Sequence, residues 1–233
     1  DAGKLPTRKP ADAKAFTAMS KQYTKEFISG PGLEPFPKWG TSVIVSEANS
    51  IDTFPYKNRT AGSSPDVETL DGMRIVESFE KRGGRMHACM TGCVVKCSNM
   101  VNDSKGNYKT SALEFETLTL LGSNCAIASW EDVADLDRLC DEIGVDTIET
   151  GAAIGIYMDS GDLEWGDAEG AKRVLREIAE GTEIGRALGN GAAATGRKQK
   201  HHRVGVLKGQ AFPAWDPRPL KAAGVTYCTS AMG

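Results

Sequence analysis

Three closely spaced cysteines constrain this chain more than any other feature of its sequence. Cys89, Cys93 and Cys97 lie within one short run, with three residues between each cysteine and the next. Thiolates are the ligands that iron–sulfur clusters and zinc both select. The spacing therefore predicts a tight loop that presents three thiols to one metal group, and the rest of the chain has to fold around that loop.

The number of cysteines in the run favours one kind of metal group over the other. A [4Fe–4S] cluster takes four cysteine ligands, and a compact run commonly supplies three of them. Structural zinc sites usually show two separated ligand pairs, whereas this sequence has one triplet, with His87 as a neighbouring ligand type. The pattern favours an iron–sulfur cluster and leaves a structural zinc site open.

The other three cysteines are scattered singly. A secreted disulfide scaffold would be shorter and would space its cysteines more evenly. Cys125 and Cys140 stand in apolar, periodic segments, which predicts that they are buried as small hydrophobic side chains, while Cys228 lies near the end of the chain. These features indicate a reducing, cytoplasmic location.

Composition excludes several classes of protein. The chain has 233 residues, of which 40% are hydrophobic and 25% charged, with a formal net charge of −3. This is enough for one large domain or two small ones, and the absence of a basic patch gives no support for nucleic-acid binding. No apolar run approaches the roughly 18 residues of a membrane span, and no signal peptide opens the chain. Neither end resembles a natural terminus, so we expect a part of a longer protein.

Periodicity predicts a mainly α fold, multihelical, with long loops and few short strands. A capping box at Ser129–Asp132 opens one of the helices, and Gly144 ends it. A long loop over 31–65 is predicted to contain one short strand, Ser42–Ser46, and the turn at 102–107 predicts a hairpin. The predicted helices cover residues 10–29, 65–81, 111–121, 130–143, 147–158 and 167–187.

A break in the pattern over residues 189–200 suggests where the chain divides. It contains Gly189-Asn190-Gly191, and the basic run Arg197–Arg203 with its two histidines follows as a predicted exposed linker. We therefore predict two domains, residues 1–190 and residues 191–233.

Six segments, in the same order along the chain, resemble the aldehyde:ferredoxin oxidoreductases, a family of tungsten- or molybdenum-pterin enzymes. Each segment alone is weak evidence for the resemblance, but all six in the same order make the resemblance specific. After the cysteine triplet come Leu113–Thr117, Leu121–Cys125, Leu139–Ile148, Val206–Gly209, Pro213–Arg218 and Val225–Ser230.

The resemblance implies the cofactors and the residues that hold them. Cys89, Cys93 and Cys97 resemble the first three ligands of the family's [4Fe–4S] cluster. The family usually spaces these cysteines with two residues and then three between them, so this loop is one residue longer. The family's fourth ligand belongs to a later motif, which the chain does not reach.

A second set of residues resembles those around the pterin and its metal. Asp141, Gly144 and Asp146 match one of the two family segments that hold the pterin cofactor. Glu114 and Glu116 match the family's E-x-E-T segment, which places a carboxylate near the metal. The resemblance implies that one of them, preferably Glu116, accepts a proton or orients a group during aldehyde oxidation.

The resemblance therefore implies an oxidoreductase that oxidises aldehydes or related oxo compounds at a tungsten- or molybdenum-bis-pterin. Electrons would pass through the [4Fe–4S] cluster to ferredoxin or a similar carrier, and a homodimer is left open. Residues 1–190 would be the family's middle helical domain, and residues 191–233 the start of its C-terminal helical domain. The chain alone is expected to be inactive. Two alternatives remain: a non-catalytic iron–sulfur electron-transfer module, and a structural zinc domain.

Overall fold

The computed structural model describes residues 9–232, and its elements are mostly helices, which confirms the mainly α fold. The helices are α1 Ala13–Ile28, α2 Phe36–Trp39, α3 Val45–Ser50, α4 Gly72–Glu80, α5 Phe115–Thr117, α6 Trp130–Ile143, α7 Thr147–Asp159, α8 Ala168–Glu180, α9 Glu183–Gly189, α10 Gly191–Gln199 and α11 Lys221–Thr229. The strands are β1 Arg85–His87, β2 Ser98–Asn102, β3 Tyr108–Ser111, β4 Val206–Leu207 and β5 Gln210–Ala211.

Helix α7 forms the centre of the core. Its residues from Thr150 to Ile156 are all buried, as expected for a helix that is apolar on every side. It contacts α10 and the π-helical turn Leu118–Gly122 that follows α5. The contact with this turn is close because Gly151 has no side chain: a Cβ there would lie 2.5 Å from the carbonyl carbon of Leu120.

Several helix ends confirm predictions made from local sequence. The Ser129 hydroxyl accepts a hydrogen bond from the Asp132 N–H at 3.2 Å at the start of α6. Gly144 ends α6 with a left-handed backbone, φ 83°. Cys125 and Cys140 are both fully buried, as predicted.

The short strand predicted at Ser42–Ser46 is wrong. Residues Thr41–Ile44 form a 3₁₀ turn that runs directly into α3. The two buried side chains of α3, Val45 and Ala48, stand three residues apart, which is the spacing of a helix face rather than of a strand.

The single helix predicted over 167–187 is two helices. Gly181 adopts a left-handed conformation, φ 65°, and ends α8. The Thr182 hydroxyl then accepts a hydrogen bond from the Gly185 N–H at 3.0 Å and opens α9. The prediction missed this because the apolar periodicity continues across the glycine.

The predicted break over 189–200 is also wrong, since residues 191–199 form α10. Glu149 on α7 accepts a hydrogen bond from the Ala192 N–H at 3.0 Å and so satisfies a free donor at the start of α10. The basic run Arg197–Arg203 is not an exposed linker throughout, because its first three residues belong to α10. The side chain of His201 is only 10% exposed, with 2.8 Å between its Nε2 and Asp159 Oδ2. The division into domains at residue 190 stays a prediction.

A three-stranded antiparallel sheet, ordered β1-β2-β3, carries the cysteine loop. The predicted hairpin is confirmed: the turn at 103–107 joins β2 to β3, and the Asp103 carboxylate accepts hydrogen bonds from two backbone N–H groups within it. Residues 88–97 connect β1 to β2. No helix in the described part of the chain is long and apolar enough to cross a membrane.

Candidate active site

The three predicted cluster cysteines share one loop whose two ends are held by the pairing of His87 with Ser98. Cys89 is exposed, and Cys93 and Cys97 are partly buried. Backbone N–H groups of Lys96 and Val95 directed at the sulfur lower the pKa of the Cys93 thiol, and a hydrogen bond with the Cys89 side chain adds to this. The loop therefore brings Cys89 and Cys93 together and favours the thiolate at Cys93.

Cys97 lies against the first of the two candidate carboxylates. Partial burial raises the pKa of the Cys97 thiol, and the charge of Glu114 raises it further. Burial also raises the pKa of the Glu114 carboxyl, against a hydrogen bond with the Ser98 side chain that lowers it. The cysteine loop and the E-x-E-T segment are therefore neighbours.

Glu116, the preferred candidate, is more deeply placed than Glu114. Its Oε2 accepts a hydrogen bond of 2.6 Å from the Ala214 N–H. Burial raises the pKa of Glu116, while this hydrogen bond and the charge of Arg59 lower it and the charge of Asp146 raises it. A π-helical turn begins at Leu118, two residues after Glu116. Such turns occur frequently at functional sites.

The predicted pterin residues lie at the junction of α6 and α7. Asp141 is exposed and makes no hydrogen bond or ion pair to any described residue. The Asp146 carboxylate accepts a hydrogen bond from the Glu149 N–H at 2.8 Å and caps α7. The junction meets the E-x-E-T segment directly, because the hydroxyls of Thr117 and Thr147 are 3.0 Å apart.

Within residues 9–232, no three His, Cys, Asp or Glu side chains are placed to hold a single metal ion. A structural zinc site needs four ligands around one ion. A [4Fe–4S] cluster instead spreads its cysteines over several iron atoms. The described residues of the loop therefore do not bring its three thiols together around a single ion.

Comparison with known proteins decides the family. A family model described as "Aldehyde ferredoxin oxidoreductase, domains 2 & 3" matches residues 18–233. The chain belongs to the aldehyde ferredoxin oxidoreductase family. This confirms the resemblance seen in the sequence.

Curated members of the family support the same assignment. The tungsten-containing aldehyde ferredoxin oxidoreductase of Pyrococcus furiosus is 27% identical over 96% of this chain and 39% of its own length. The enzyme of the same description from Thermococcus kodakarensis is 26% identical over 88% of the chain and 35% of its own length. A P. furiosus protein described as "Aliphatic sulfonate oxidoreductase, WOR-like subunit" is 28% identical over 81% of this chain and 32% of its own length. The chain thus spans well under half the length of these relatives.

The residues of the cysteine loop fit the cluster of an aldehyde ferredoxin oxidoreductase. Backbone N–H groups already point at the Cys93 sulfur, and hydrogen bonds to the sulfurs are one means by which proteins tune such clusters. Beside the loop, His87 Nδ1 is buried without a hydrogen-bond partner among the described residues. A buried polar atom of this kind normally has a partner, so its position beside the loop fits a further group bound there.

The α6–α7 junction likewise fits the pterin of an aldehyde ferredoxin oxidoreductase. Asp141 and Asp146 offer carboxylate oxygens, and a Cβ at Gly144 would meet nothing within 4 Å. A pterin ring carries several N–H donors, which carboxylate oxygens accept. The junction is therefore an open acceptor surface next to Glu116.

Sequence analysis missed the residue that holds the backbone around Glu116. Arg59 Nη2 donates hydrogen bonds to the carbonyls of Phe212 and Pro213, at 2.8 and 2.7 Å. The next residue, Ala214, is the donor to Glu116. The sequence resemblance includes Pro213–Arg218 but assigns no role to that segment. No local sequence pattern marks Arg59, because its partners lie far along the chain.

Proposed function

We propose that the full-length protein containing this chain oxidises aldehydes, or related oxo compounds, at a tungsten- or molybdenum-pterin centre. Electrons leave through a [4Fe–4S] cluster to ferredoxin or a similar carrier. One observation carries the proposal: the cysteine loop, the E-x-E-T carboxylates and the α6–α7 junction are neighbours in a chain of this family. The tungsten named in its relatives supports tungsten as the metal.

The residues of the chain divide the work between binding and proton transfer. Cys89, Cys93 and Cys97 hold the cluster, while Asp141 and Asp146 accept hydrogen bonds from the pterin, with Gly144 leaving the space open. When bound, the pterin-held metal supplies the two-electron oxidation of the substrate. The protein contributes the placement of that group and the electrostatics around it.

Glu116 is the group in the chain best placed to move a proton. Its Oε2 is held by the Ala214 N–H, which leaves Oε1 for a proton from water or a hydrated aldehyde. Burial raises the pKa of this carboxyl, so it takes up a proton more readily than an exposed glutamate. Arg59 keeps Glu116 in position by fixing the two residues directly before the donor.

A test of the proposal uses the full-length protein, prepared without oxygen. We expect iron and acid-labile sulfide in equal amounts, together with tungsten or molybdenum, and aldehyde-dependent reduction of a dye. Cys93→Ser should lose most of the iron and sulfide, because one cluster ligand is removed. Cys228→Ser is the matched control, since Cys228 is exposed and outside the loop, and it should keep both.

Zinc without sulfide in the wild-type protein would instead support a structural zinc domain. Iron and sulfide without tungsten, molybdenum or aldehyde oxidation would support an electron-transfer module. The 233-residue chain expressed alone should reduce no dye with aldehyde, since it spans only 39% of its P. furiosus relative; turnover by this chain would contradict that expectation.

A further inference from the structure

A small cavity borders the backbone segment 212–214 that holds Glu116, and the charged residues that line it are mostly arginines. It lies between the turn at 57–59, the segment 202–205 and the loop 212–218, with a volume of about 300 Å³. Its lining contains three arginines and a single aspartate, Asp216. In a chain of net charge −3, this excess of positive charge marks a site for an anion.

Arg59 forms the floor of this cavity and is nine-tenths buried, with 10% of its side chain exposed. Its Nη2 donates to two backbone carbonyls. Its Nη1 makes an ion pair with Asp216 Oδ2 at 3.5 Å but has no hydrogen-bond partner among the described residues. A buried guanidinium donor whose nearest acceptor stands at 3.5 Å is poorly satisfied, so a closer acceptor supplied by a ligand would be favourable here.

The fold holds Arg59 in place with a strained turn. Lys57, Asn58 and Arg59 are three consecutive residues with left-handed backbones, φ 45°, 47° and 60°, which is unfavourable for residues with a Cβ. The Asn58 N–H donates to the Asn124 carbonyl at 2.9 Å, and the Asn58 side chain donates to Asp159 at the same distance. These contacts fix the direction in which Arg59 leaves the turn.

Two further guanidinium groups form the rim of the cavity. Arg203 donates to both oxygens of Asp159, at 3.0 and 3.2 Å, and Arg218 does the same to Asp216, at 2.9 and 2.7 Å. Their side chains are 40% and 58% exposed. The Nη1 groups of both make no hydrogen bond or ion pair with described residues, so each arginine keeps donors for a ligand.

We propose that this cavity binds a tetrahedral oxyanion, either inorganic phosphate or the phosphate group of a phosphomonoester. The Nη1 groups of the three arginines can each donate a charge-assisted hydrogen bond to a different phosphate oxygen, and three donors approaching from the floor and the rim suit a tetrahedral group better than a planar carboxylate. Phe212, Val204 and Pro217 supply an apolar wall, against which an organic substituent can pack. The proposal does not depend on the proposed oxidation of aldehydes.

The test measures binding of inorganic phosphate to the full-length protein by titration calorimetry, at an ionic strength held constant with chloride. We expect saturable binding at one site per chain. Arg218→Gln and Arg59→Lys should each weaken this binding by about tenfold or more, because each removes charge-assisted hydrogen bonds. Arg173→Gln is the matched control, since Arg173 pairs with Asp167 at 3.3 Å outside the cavity, and it should bind as the wild type.

Ethyl phosphate distinguishes the two sources of the anion. Tighter binding of ethyl phosphate than of inorganic phosphate would identify the phosphate group of a larger ligand, and equal binding would identify free phosphate. No saturable binding by the wild-type protein, or equal weakening by Arg173→Gln, would overturn the proposal. If Arg59→Lys does not fold, the wild type and Arg218→Gln still decide.

Discussion

At the scale of single residues, burial controls the carboxyl groups near the candidate site. It is the largest cause of the raised pKa values of Glu114 and Glu116. Asp137, on the buried side of α6, is the strongest case, because burial and the charges of Asp141 and Glu114 raise its pKa to about 7 despite a hydrogen bond with Thr110. Burial of Glu114, Glu116 and Asp137 therefore lowers the free energy of unfolding, and the loss grows as these carboxyl groups ionise.

Asp137 makes the stability of the chain depend on pH. Its pKa rises from 3.8 to about 7 in the fold, so the folded state holds a proton that the unfolded state has lost. The free energy of unfolding should fall as pH rises from about 4 to about 7, by an amount on the order of 4 kcal/mol, and stay level above that. Asp137→Asn should remove this dependence and be more stable than the wild type at pH 8, as measured by urea unfolding.

Asp162→Asn is the control for that measurement, since Asp162 is exposed. It should follow the wild-type pH dependence. If Asp137→Asn is less stable than the wild type at pH 8 as well as at pH 5, Asp137 is stabilised as an ion, and burial does not control its titration.

At the scale of elements, α7 positions the segment that carries Glu116. The backbone of Gly151 touches Leu120 in the π-helical turn, and Gly155 touches Asn124 just beyond it. The thiol of Cys125 donates to the Gly151 carbonyl at 3.5 Å. The position of Glu116 therefore depends on how closely α7 approaches the chain after it.

Gly151→Ala should destabilise the protein and displace the turn. The new Cβ would lie 2.5 Å from the Leu120 carbonyl carbon, so the backbone of one element has to move. Overpacking of this kind costs about 1–3 kcal/mol, measurable as a lower urea midpoint. Gly32→Ala is the control, because nothing lies within 4 Å of a Cβ there; equal midpoints for both variants would show that the contact is not tight.

The sequence predicted three helices whose starts are set by neighbouring residues. These helices, α6, α7 and α8, follow Ser129, Asp146 and Asp167, each of which caps its helix with its own side chain. Elements fixed by distant contacts were not predictable. The π-helical turn follows from packing against α7, and α10 begins where Glu149, far away in the sequence, accepts its N–H.

The residues of the candidate site also fall into those that local sequence predicts and those that it does not. Its cysteines and carboxylates stand in short motifs, so a sequence pattern could name them. Arg59 could not be found in that manner, because it acts through the backbone of Phe212 and Pro213.

At the scale of the whole molecule, α1 stands apart from the core. It is the helix predicted from apolar periodicity, yet none of its residues is buried. Phe16, Met19, Tyr23 and Phe27 are 40–65% exposed, and the only ring contact among them is the stacking of Tyr23 on Phe27. Since helices gain most of their stability from packing of an apolar face, α1 should be the least stable helix in this chain.

Amide hydrogen exchange on the 233-residue chain would measure this difference. Amides of α1 should exchange nearly as fast as those of an isolated peptide, whereas those of α7 should exchange only on global unfolding. A tenfold dilution of the protein is the control. Protection of α1 that vanishes on dilution would show that a second copy covers it, and protection at every concentration would show that α1 packs onto its own chain.

The contact between α7 and the π-helical turn also has an evolutionary consequence. Gly151 and Gly155 are buried in α7, and a larger residue at either position would push the chain that leads from Glu116. Selection for the position of that carboxylate therefore also acts on interior glycines. A lineage that replaces Gly151 has to change residues 118–122 as well, so the two segments are expected to diverge together.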